Sequence, residues 1–167
     1  MSATALRTSE VIGACWSEID LNAAVWTVPA ERMKAKQVHR VPLSRAALDL
    51  IKQFPRFESG LLFEGRSSGK PISNMAMLMK CRRLDEAKYK ADGIGWRDNL
   101  GQRITPHGFR STFRDWAAEN TNFQNIVVEQ ALAHTIGNAV ETAYRRGDLL
   151  ECRRELMEAW GKYVTSN

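Results

Sequence analysis

Apolar residues recur at two different spacings along the chain, and the change between them separates a mixed first part from a helical remainder. Within 8–16 they fall on one face at helical spacing, which predicts a short helix. Residues 24–29 and 38–43 have the composition of strands, and 61–63 form a third short apolar run bounded by glycines. The pattern therefore predicts a small antiparallel sheet with a basic hairpin between two of its strands.

Helices are predicted for most of the chain from residue 44 onward. Ser44 is placed to cap a helix running to about Gln53, and Ser73 to open another toward Tyr89, whereas the glycine-containing stretch 91–105 predicts a loop. Three further helices are marked by Phe109, Phe113, Trp116 and Ala117, by Val128, Ala131 and Leu132, and by Leu149, Cys152, Leu156, Trp160 and Val164. The expected fold is a mainly helical α+β domain over 1–167.

The distribution of charge points to a polyanionic partner more clearly than the net charge of +5 does. One stretch, 32–48, contains five basic residues and no acid: Arg32, Lys34, Lys36, Arg40 and Arg45. A second basic cluster, 80–90, is interrupted by Asp85 and Glu86, and could equally be a solvated face.

Composition argues against several classes of protein. No apolar run approaches the roughly 18 residues of a membrane helix, and the first residues lack the pattern of a signal peptide. The three cysteines have no metal-ligand spacing, and no glycine-rich phosphate loop is present. We therefore expect a cytoplasmic protein that uses no metal, no cofactor and no membrane.

Four short elements carry candidate chemistry, although each alone has an ordinary structural explanation. Arg7 follows Leu6 near the start, and the hairpin 33–44 is strongly basic. His107 and Arg110 are three residues apart, so they share a face if a helix starts there. His134 follows two apolar residues, and a tyrosine lies ten residues further on.

In order and spacing these elements resemble the signature of tyrosine recombinases. The family's boxes are similar to T-G-L-R-x-x-E, H-x-L-R-H-T-F-A and L-G-H, followed by a tyrosine nine or ten residues later. The matching segments here are 4–10, 107–113 and 132–134, with the tyrosine at Tyr144. Strings such as "SEIDL", "H-x-V-P-L-S" and "A-Y-R-R" are similar to prophage integrases in particular. The resemblance covers nearly the whole chain and implies the tyrosine-recombinase catalytic fold.

The resemblance also implies a role for each residue in cutting a phosphodiester by transesterification. Arg7 and Arg110 would neutralise the phosphoryl oxygens, for which paired guanidinium groups are well suited. Tyr144 would be the nucleophile, and since a phenol has a pKa of about 10 it needs a base, implied to be His107. Lys34 would protonate the leaving 5′-oxygen.

Other positions take secondary roles in this interpretation. His134 would hydrogen-bond a phosphoryl oxygen, and Glu10 would brace an arginine or the fold. Lys36 remains an alternative to Lys34 as the acid. Together with Arg40 and Arg45, Lys36 is otherwise expected to contact DNA.

The implied function is site-specific DNA recombination through a 3′-phosphotyrosyl intermediate. Its expected partners are double-stranded attachment sites and, on DNA, three further copies of the chain. Two alternatives remain: a type IB topoisomerase, which relaxes DNA by the same chemistry, and a catalytically silent DNA-binding remnant. The other tyrosines, Tyr89 and Tyr163, follow no matching histidine box.

The chain departs from the family pattern in three respects. Ala5 and Ala133 stand where the boxes have glycine. Only six residues precede Arg7, so the sequence is expected to be a catalytic domain truncated at its N-terminus, without core-binding and arm-binding domains. An apolar groove beside Arg7 is a further expectation.

Overall fold

Six α-helices and a small sheet make up the part of the chain that the computed structural model describes, residues 2–98, 100–134 and 147–166. The strands are β1 (Ile19–Asp20), β2 (Val25–Val28) and β3 (His39–Pro42), in the order β1-β2-β3. The helices are α1 (Thr8–Ile12), α2 (Arg45–Ile51), α3 (Ala76–Asp92), α4 (Gly108–Asn120), α5 (Asn125–Ala131) and α6 (Leu150–Thr165). The predicted class, mainly helical α+β with a three-stranded antiparallel sheet, is confirmed.

The third strand is not the one that the sequence predicts. Residues 61–63 form no strand, and Leu61 makes only an isolated bridge with Cys15. Leu62 is buried because it is apolar, not because it lies in a sheet. The short β1 pairs with β2 instead, because Asp20 Oδ1 accepts the backbone N–H groups of Asn22 and Ala23 at 2.9 and 2.8 Å and closes a tight turn.

Two groups of buried side chains meet just before Arg7. The sheet-side core combines the inward residues of β2 and β3 with α1 and α2, and the helical core combines α4, α5 and α6. Leu6 belongs to the sheet-side core, whereas its neighbour Ala5 belongs to the helical core. The backbone that leads into Arg7 is therefore fixed from both sides.

The buried face of α6 is rotated from the predicted apolar stripe. Leu156 and Trp160 are buried as expected, but Leu149 and Cys152 are exposed. Arg153 takes the place of Cys152 on the inward face and is only 1% exposed. The stripe, predicted to form core or a subunit contact, is therefore buried only in part within one chain, because a hydrogen-bonded arginine occupies the neighbouring core position.

The segments on either side of the loop predicted after α3 also differ in detail from the sequence pattern. The helix predicted from Ser73 begins at Ala76, and Phe109 at the start of α4 is 37% exposed, whereas Phe113 on the same helix is buried. The loop after α3 is fixed by Asp85, whose buried carboxylate accepts the N–H of Trp96 at 2.7 Å and also binds Arg97. None of the helices described is long and apolar enough to cross a membrane.

Candidate functional site

Three of the predicted site residues line one cleft of about 590 Å³. Arg7 precedes the first turn of α1, while His107 and Arg110 lie at the start of α4. Thr105 Oγ1 accepts the N–H of Gly108 at 3.1 Å and so caps the first turn of α4, leaving His107 exposed at its tip. The cleft thus combines two guanidinium groups, an imidazole and the positive end of a helix, all suited to an anion.

Arg7 is oriented by Glu10, which is completely buried. One carboxylate oxygen of Glu10 accepts the Arg7 backbone N–H, and the other accepts Arg7 Nη1, both at 2.8 Å. Glu10 is the third residue of α1, so its bond from the Arg7 backbone N–H is one half of a helix capping box. Glu10 therefore braces Arg7, which is one of the two roles predicted for this glutamate.

Arg110 joins the segments that precede Arg7 and His134. The side chain is 6% exposed, and its two terminal nitrogens donate to the carbonyls of Ala5 and Leu132. Burial and the neighbouring charge of Arg7 lower the pKa of Arg110 to about 10, so the group remains charged at neutral pH. The second arginine is consequently a structural tie between three parts of the site, which the sequence pattern does not reveal.

The two alanines that replace the family's glycines both adopt left-handed backbone conformations, with φ of 53° at Ala5 and 48° at Ala133. Alanine is disfavoured in this region because its Cβ approaches the following carbonyl, whereas glycine has no such penalty. Each alanine therefore adds local strain beside a carbonyl that Arg110 binds.

Replacing Ala133 by glycine is expected to stabilise the protein. Glycine would relieve the strain of the left-handed conformation, which costs alanine about 1–2 kcal/mol. This gain outweighs the entropy that glycine adds to the unfolded chain, which lowers stability by about 0.4–1 kcal/mol. The melting temperature, followed by circular dichroism, should rise by up to about 4 °C. Ala131→Gly is the control: Ala131 is helical and buried, so this change should lower the melting temperature. A comparable loss in both variants would contradict this expectation.

His134 lies just after α5, where a carboxylate orients it. Its Nδ1 is 2.6 Å from Glu129 Oε2, and its backbone N–H donates to the Glu129 carbonyl at 3.0 Å. Arg114 Nε donates to the other oxygen of Glu129 at 2.8 Å. Although partial burial raises the pKa of Glu129, hydrogen bonds from Arg114 and His134 lower it overall, which favours the ionised form. Such a pair fixes the orientation of the imidazole.

His39 in β3 is a half-buried imidazole to which the sequence pattern assigned no role. Burial, followed by the charge of Arg153, lowers its pKa from 6.5 to about 4. The opposing influences are weaker: the charges of Glu10 and Asp148 and a hydrogen bond with the backbone of Ala131. His39 is thus neutral at neutral pH.

Stability is expected to fall as the pH drops from about 6.5 to 4. In this window the unfolded chain binds a proton at His39 and the folded chain does not. By pH 4 the free energy of unfolding should therefore have fallen by on the order of 3 kcal/mol. Urea unfolding at a series of pH values would show the loss, and His39→Gln should flatten it. His107→Gln is the matched control because His107 is exposed. If the stability of the His39→Gln protein fell equally steeply with pH, His39 would not be the cause of the loss.

The basic hairpin between β2 and β3 presents its lysines to solvent. Its base is fixed by buried Met33 and by Arg32, whose Nη1 donates to Glu18 Oε1 at 2.6 Å. Lys34 and Lys36 are exposed, and Lys36 Nζ lies 3.4 Å from the Glu31 carbonyl. Neither lysine lines the cleft of Arg7, His107 and Arg110.

Arg40 and Arg45, both predicted to contact DNA, differ in their contacts within the chain. Arg40 forms two hydrogen bonds of 2.8 Å with Asp148. Arg45 is exposed, and its backbone N–H donates to Glu158 on α6 at 2.9 Å. Asp148, Glu129 and Arg153 are the site-associated residues that sequence reasoning missed, since an isolated acid or arginine on a helix gives no signal.

Two further expectations from the sequence concern Tyr144 and an apolar groove. Tyr144 lies outside the described residues. An apolar groove of about 280 Å³ adjoins the cleft at Pro106, which lines both. Among the residues that the structure describes, no three His, Cys, Asp or Glu side chains form a group able to hold a metal ion.

Sequence comparison identifies relatives over nearly the whole chain. A model of the phage integrase family matches residues 1–149. The prophage integrase IntA of Escherichia coli K12 is 36% identical over 161 residues, which cover 96% of this chain and 36% of the relative. For the prophage integrase IntZ of the same strain the identity is 34%, with coverage of 98% and 37%. The chain thus spans little more than a third of these relatives, and the predicted resemblance to prophage integrases is confirmed.

Solved structures with the same fold include the integrase of mycobacterium phage Brujita, with a TM-score of 0.64, 22% identity and coverage of 94% of this chain and 47% of that one. The integrase of transposon Tn1549, solved in complex with a circular intermediate DNA, has a TM-score of 0.63, 18% identity and coverage of 95% and 55%. At these identities the likeness establishes the fold alone.

Proposed function

The chain belongs to the phage integrase family, and on that premise we propose that it cuts and rejoins DNA in site-specific recombination. The observation that carries the proposal is the cleft in which Arg7, His107 and Arg110 converge. Two guanidinium groups beside an imidazole suit a phosphodiester whose negative charge increases in the transition state. In this proposal residues 1–167 are catalytic-domain sequence.

The proposed reaction is a transesterification in which the number of phosphoester bonds is conserved. The phenolic oxygen of Tyr144 attacks the phosphorus, and its proton passes to His107. The bond from phosphorus to the 5′-oxygen breaks, and Lys34, or Lys36 on the same hairpin, protonates that oxygen. The products are a 3′-phosphotyrosyl linkage and a free 5′-hydroxyl.

Rejoining is the same reaction in reverse. A 5′-hydroxyl from a partner duplex attacks the phosphotyrosine and releases the tyrosine, so no external energy source is needed. Arg7 and Arg110 neutralise the phosphoryl oxygens in both directions, and His134, oriented by Glu129, donates a hydrogen bond to one of them.

The proposed partners are double-stranded attachment sites and other copies of the chain. The net charge of +5 and the exposed lysines of the hairpin support a DNA partner. Strand exchange between two duplexes requires four active sites, so we propose a tetramer on DNA. The proposed place of action is the cytoplasm.

Formation of a covalent adduct tests the proposal. The chain is incubated with a pool of nicked duplexes randomised around the nick, and adducts are recovered from a denaturing gel and sequenced. The expected product is a protein–DNA band whose recovered sequences share one motif. The nick lets the short 5′-fragment diffuse away, so the intermediate accumulates.

Other outcomes would favour the alternatives. DNA binding by fluorescence anisotropy without any adduct would favour a silent binding remnant. Adducts without a shared sequence, together with relaxation of supercoiled plasmid, would favour topoisomerase-like activity. If the chain neither bound DNA nor formed an adduct, the proposal would be overturned.

A further inference from the structure

Asp148 pairs with two arginines, one from β3 and one from α6. Its carboxylate accepts Arg40 Nε and Nη2, each at 2.8 Å, and lies 3.0 Å from Arg153 Nη2. Arg153 also donates from Nε to the Asp148 carbonyl at 2.7 Å and from Nη1 to the Arg40 carbonyl at 2.6 Å. We refer to Arg40, Asp148 and Arg153 as the Asp148 clasp. It joins β3, the residue that precedes α6 by two positions, and α6 itself.

The clasp is built around a buried charge. Arg153 is 1% exposed and lies on the core face of α6, next to Leu156. A buried guanidinium is stabilised by an opposite charge and by hydrogen-bond acceptors. Asp148 provides a carboxylate 3.0 Å from Nη2 and a carbonyl that accepts Nε. The position of Asp148 is therefore determined by the core of the protein, not by the surface alone.

Other contacts also hold α6 in place. Leu156, Met157 and Trp160 anchor the helix in the helical core. Gly161 approaches so close to α2 that an added Cβ would lie 2.5 Å from Ser44 Oγ. What the clasp adds is a fixed location for Asp148 against β3. The following residue, Leu149, has a left-handed backbone with φ of 50°, a conformation that persists only where the surroundings impose it.

Asp148 lies four residues after Tyr144, so their Cα atoms are separated by at most about 14 Å. His134, ten residues before Tyr144, is fixed by Glu129. We propose that Arg40, Asp148 and Arg153 are positioning residues. By holding Asp148 against β3, they fix the C-terminal end of the segment that carries Tyr144 relative to β3 and its basic hairpin. This inference rests on the proposed function, since it gives Arg40 a role in the cleavage step instead of in DNA contact.

The clasp predicts a change in cleavage rate without a loss of DNA affinity. Asp148→Asn removes the negative charge that both arginines contact, and Arg40→Gln removes one of the two arginines. Each is expected to slow adduct formation at saturating DNA about 10- to 100-fold, the usual effect of a small displacement of a reacting group. The half-saturating concentration of the nicked duplex recovered from the randomised pool should stay within about twofold. If Arg40 contacted phosphate instead, Arg40→Gln would mainly weaken binding.

Asp148→Asn is informative because its electrostatic effect on DNA binding has the opposite sign. Losing an acid makes the protein more basic, so DNA affinity can only be maintained or raised while the cleavage rate falls. Asp148→Glu, which keeps the charge, should recover part of the rate. The matched control is Glu151→Gln, which makes the same charge change and breaks the exposed ion pair with Arg154 on the same helix.

The outcomes separate this inference from the proposed function. Unaltered rates in Asp148→Asn and Arg40→Gln, with an active unsubstituted chain, would overturn the positioning role and leave the function standing. The positioning role is also overturned if Glu151→Gln slows the reaction to the same extent. An unsubstituted chain that forms no adduct would overturn the function and the inference together. Melting temperatures of all variants are measured so that unfolding is not mistaken for slow chemistry.

Discussion

Replacing Tyr144 by phenylalanine is expected to abolish the covalent protein–DNA adduct while noncovalent DNA binding is retained. The substitution removes only the phenolic oxygen, so no atom remains to attack the phosphorus, whereas the arginines and lysines that attract DNA are untouched. The adduct band on a denaturing gel, formed with the nicked duplex recovered from the pool, measures the first effect. Fluorescence anisotropy with the same duplex measures the second.

The chain offers two matched controls for this experiment. Tyr89 lies on α3 and is 54% exposed, and Tyr163 stacks on Trp160 with ring centroids 5.5 Å apart. Tyr89→Phe and Tyr163→Phe remove the same oxygen and should both retain the adduct. An adduct that persists in Tyr144→Phe and disappears in either control would reassign the nucleophile to that tyrosine.

Arg110→Lys is expected to damage both stability and activity. Lysine keeps the positive charge but has a single ammonium group, which cannot bind the Ala5 and Leu132 carbonyls in the geometry of the guanidinium. The loss of charged hydrogen bonds and an unsatisfied buried carbonyl should lower the free energy of unfolding by about 2–4 kcal/mol. The rate of adduct formation should fall roughly 10²- to 10³-fold.

Urea unfolding without DNA isolates the structural part of this effect. Arg114→Lys is the control, since Arg114 lies one turn further along α4, is 55% exposed at its side chain and pairs with Glu129. Its substitution should change stability by less than about 1 kcal/mol. Equal stability of the Arg110→Lys and Arg114→Lys proteins would show that the two carbonyl contacts do not stabilise the fold.

The sequence was most informative where a local structural signal and candidate site residues share one short segment. The Thr105–Arg110 segment carries both a helix start and two candidate site residues, and the structure places both residues in one cleft. The prediction was weaker where an element depends on distant partners. A two-residue strand such as β1 leaves almost no periodic signal, because it is defined by its pairing with β2 and by the turn at Asp20.

Arg153 and Asp148 show why part of the site environment could not be predicted. A single arginine within α6 is normally assigned to a solvated face. Its burial depends on its contacts with Asp148 and on a hydrogen bond to the carbonyl of Arg40, more than a hundred positions away in the chain. The left-handed conformations of Ala5 and Ala133 were equally hidden, because alanine does not signal them as glycine does. Comparison with the family's boxes identified these two positions, and the positive φ angles explain why glycine is the favoured residue there.

The division of the buried residues into two cores affects how folding and ligand binding are coupled. Arg7 opens the helix that packs with the sheet-side core, whereas Arg110 belongs to a helix of the other core. A phosphate bound by both guanidinium groups therefore bridges the two halves of the molecule. Occupancy of the cleft should make their unfolding more cooperative, so that a backbone phosphate acts as part of the fold as well as a substrate.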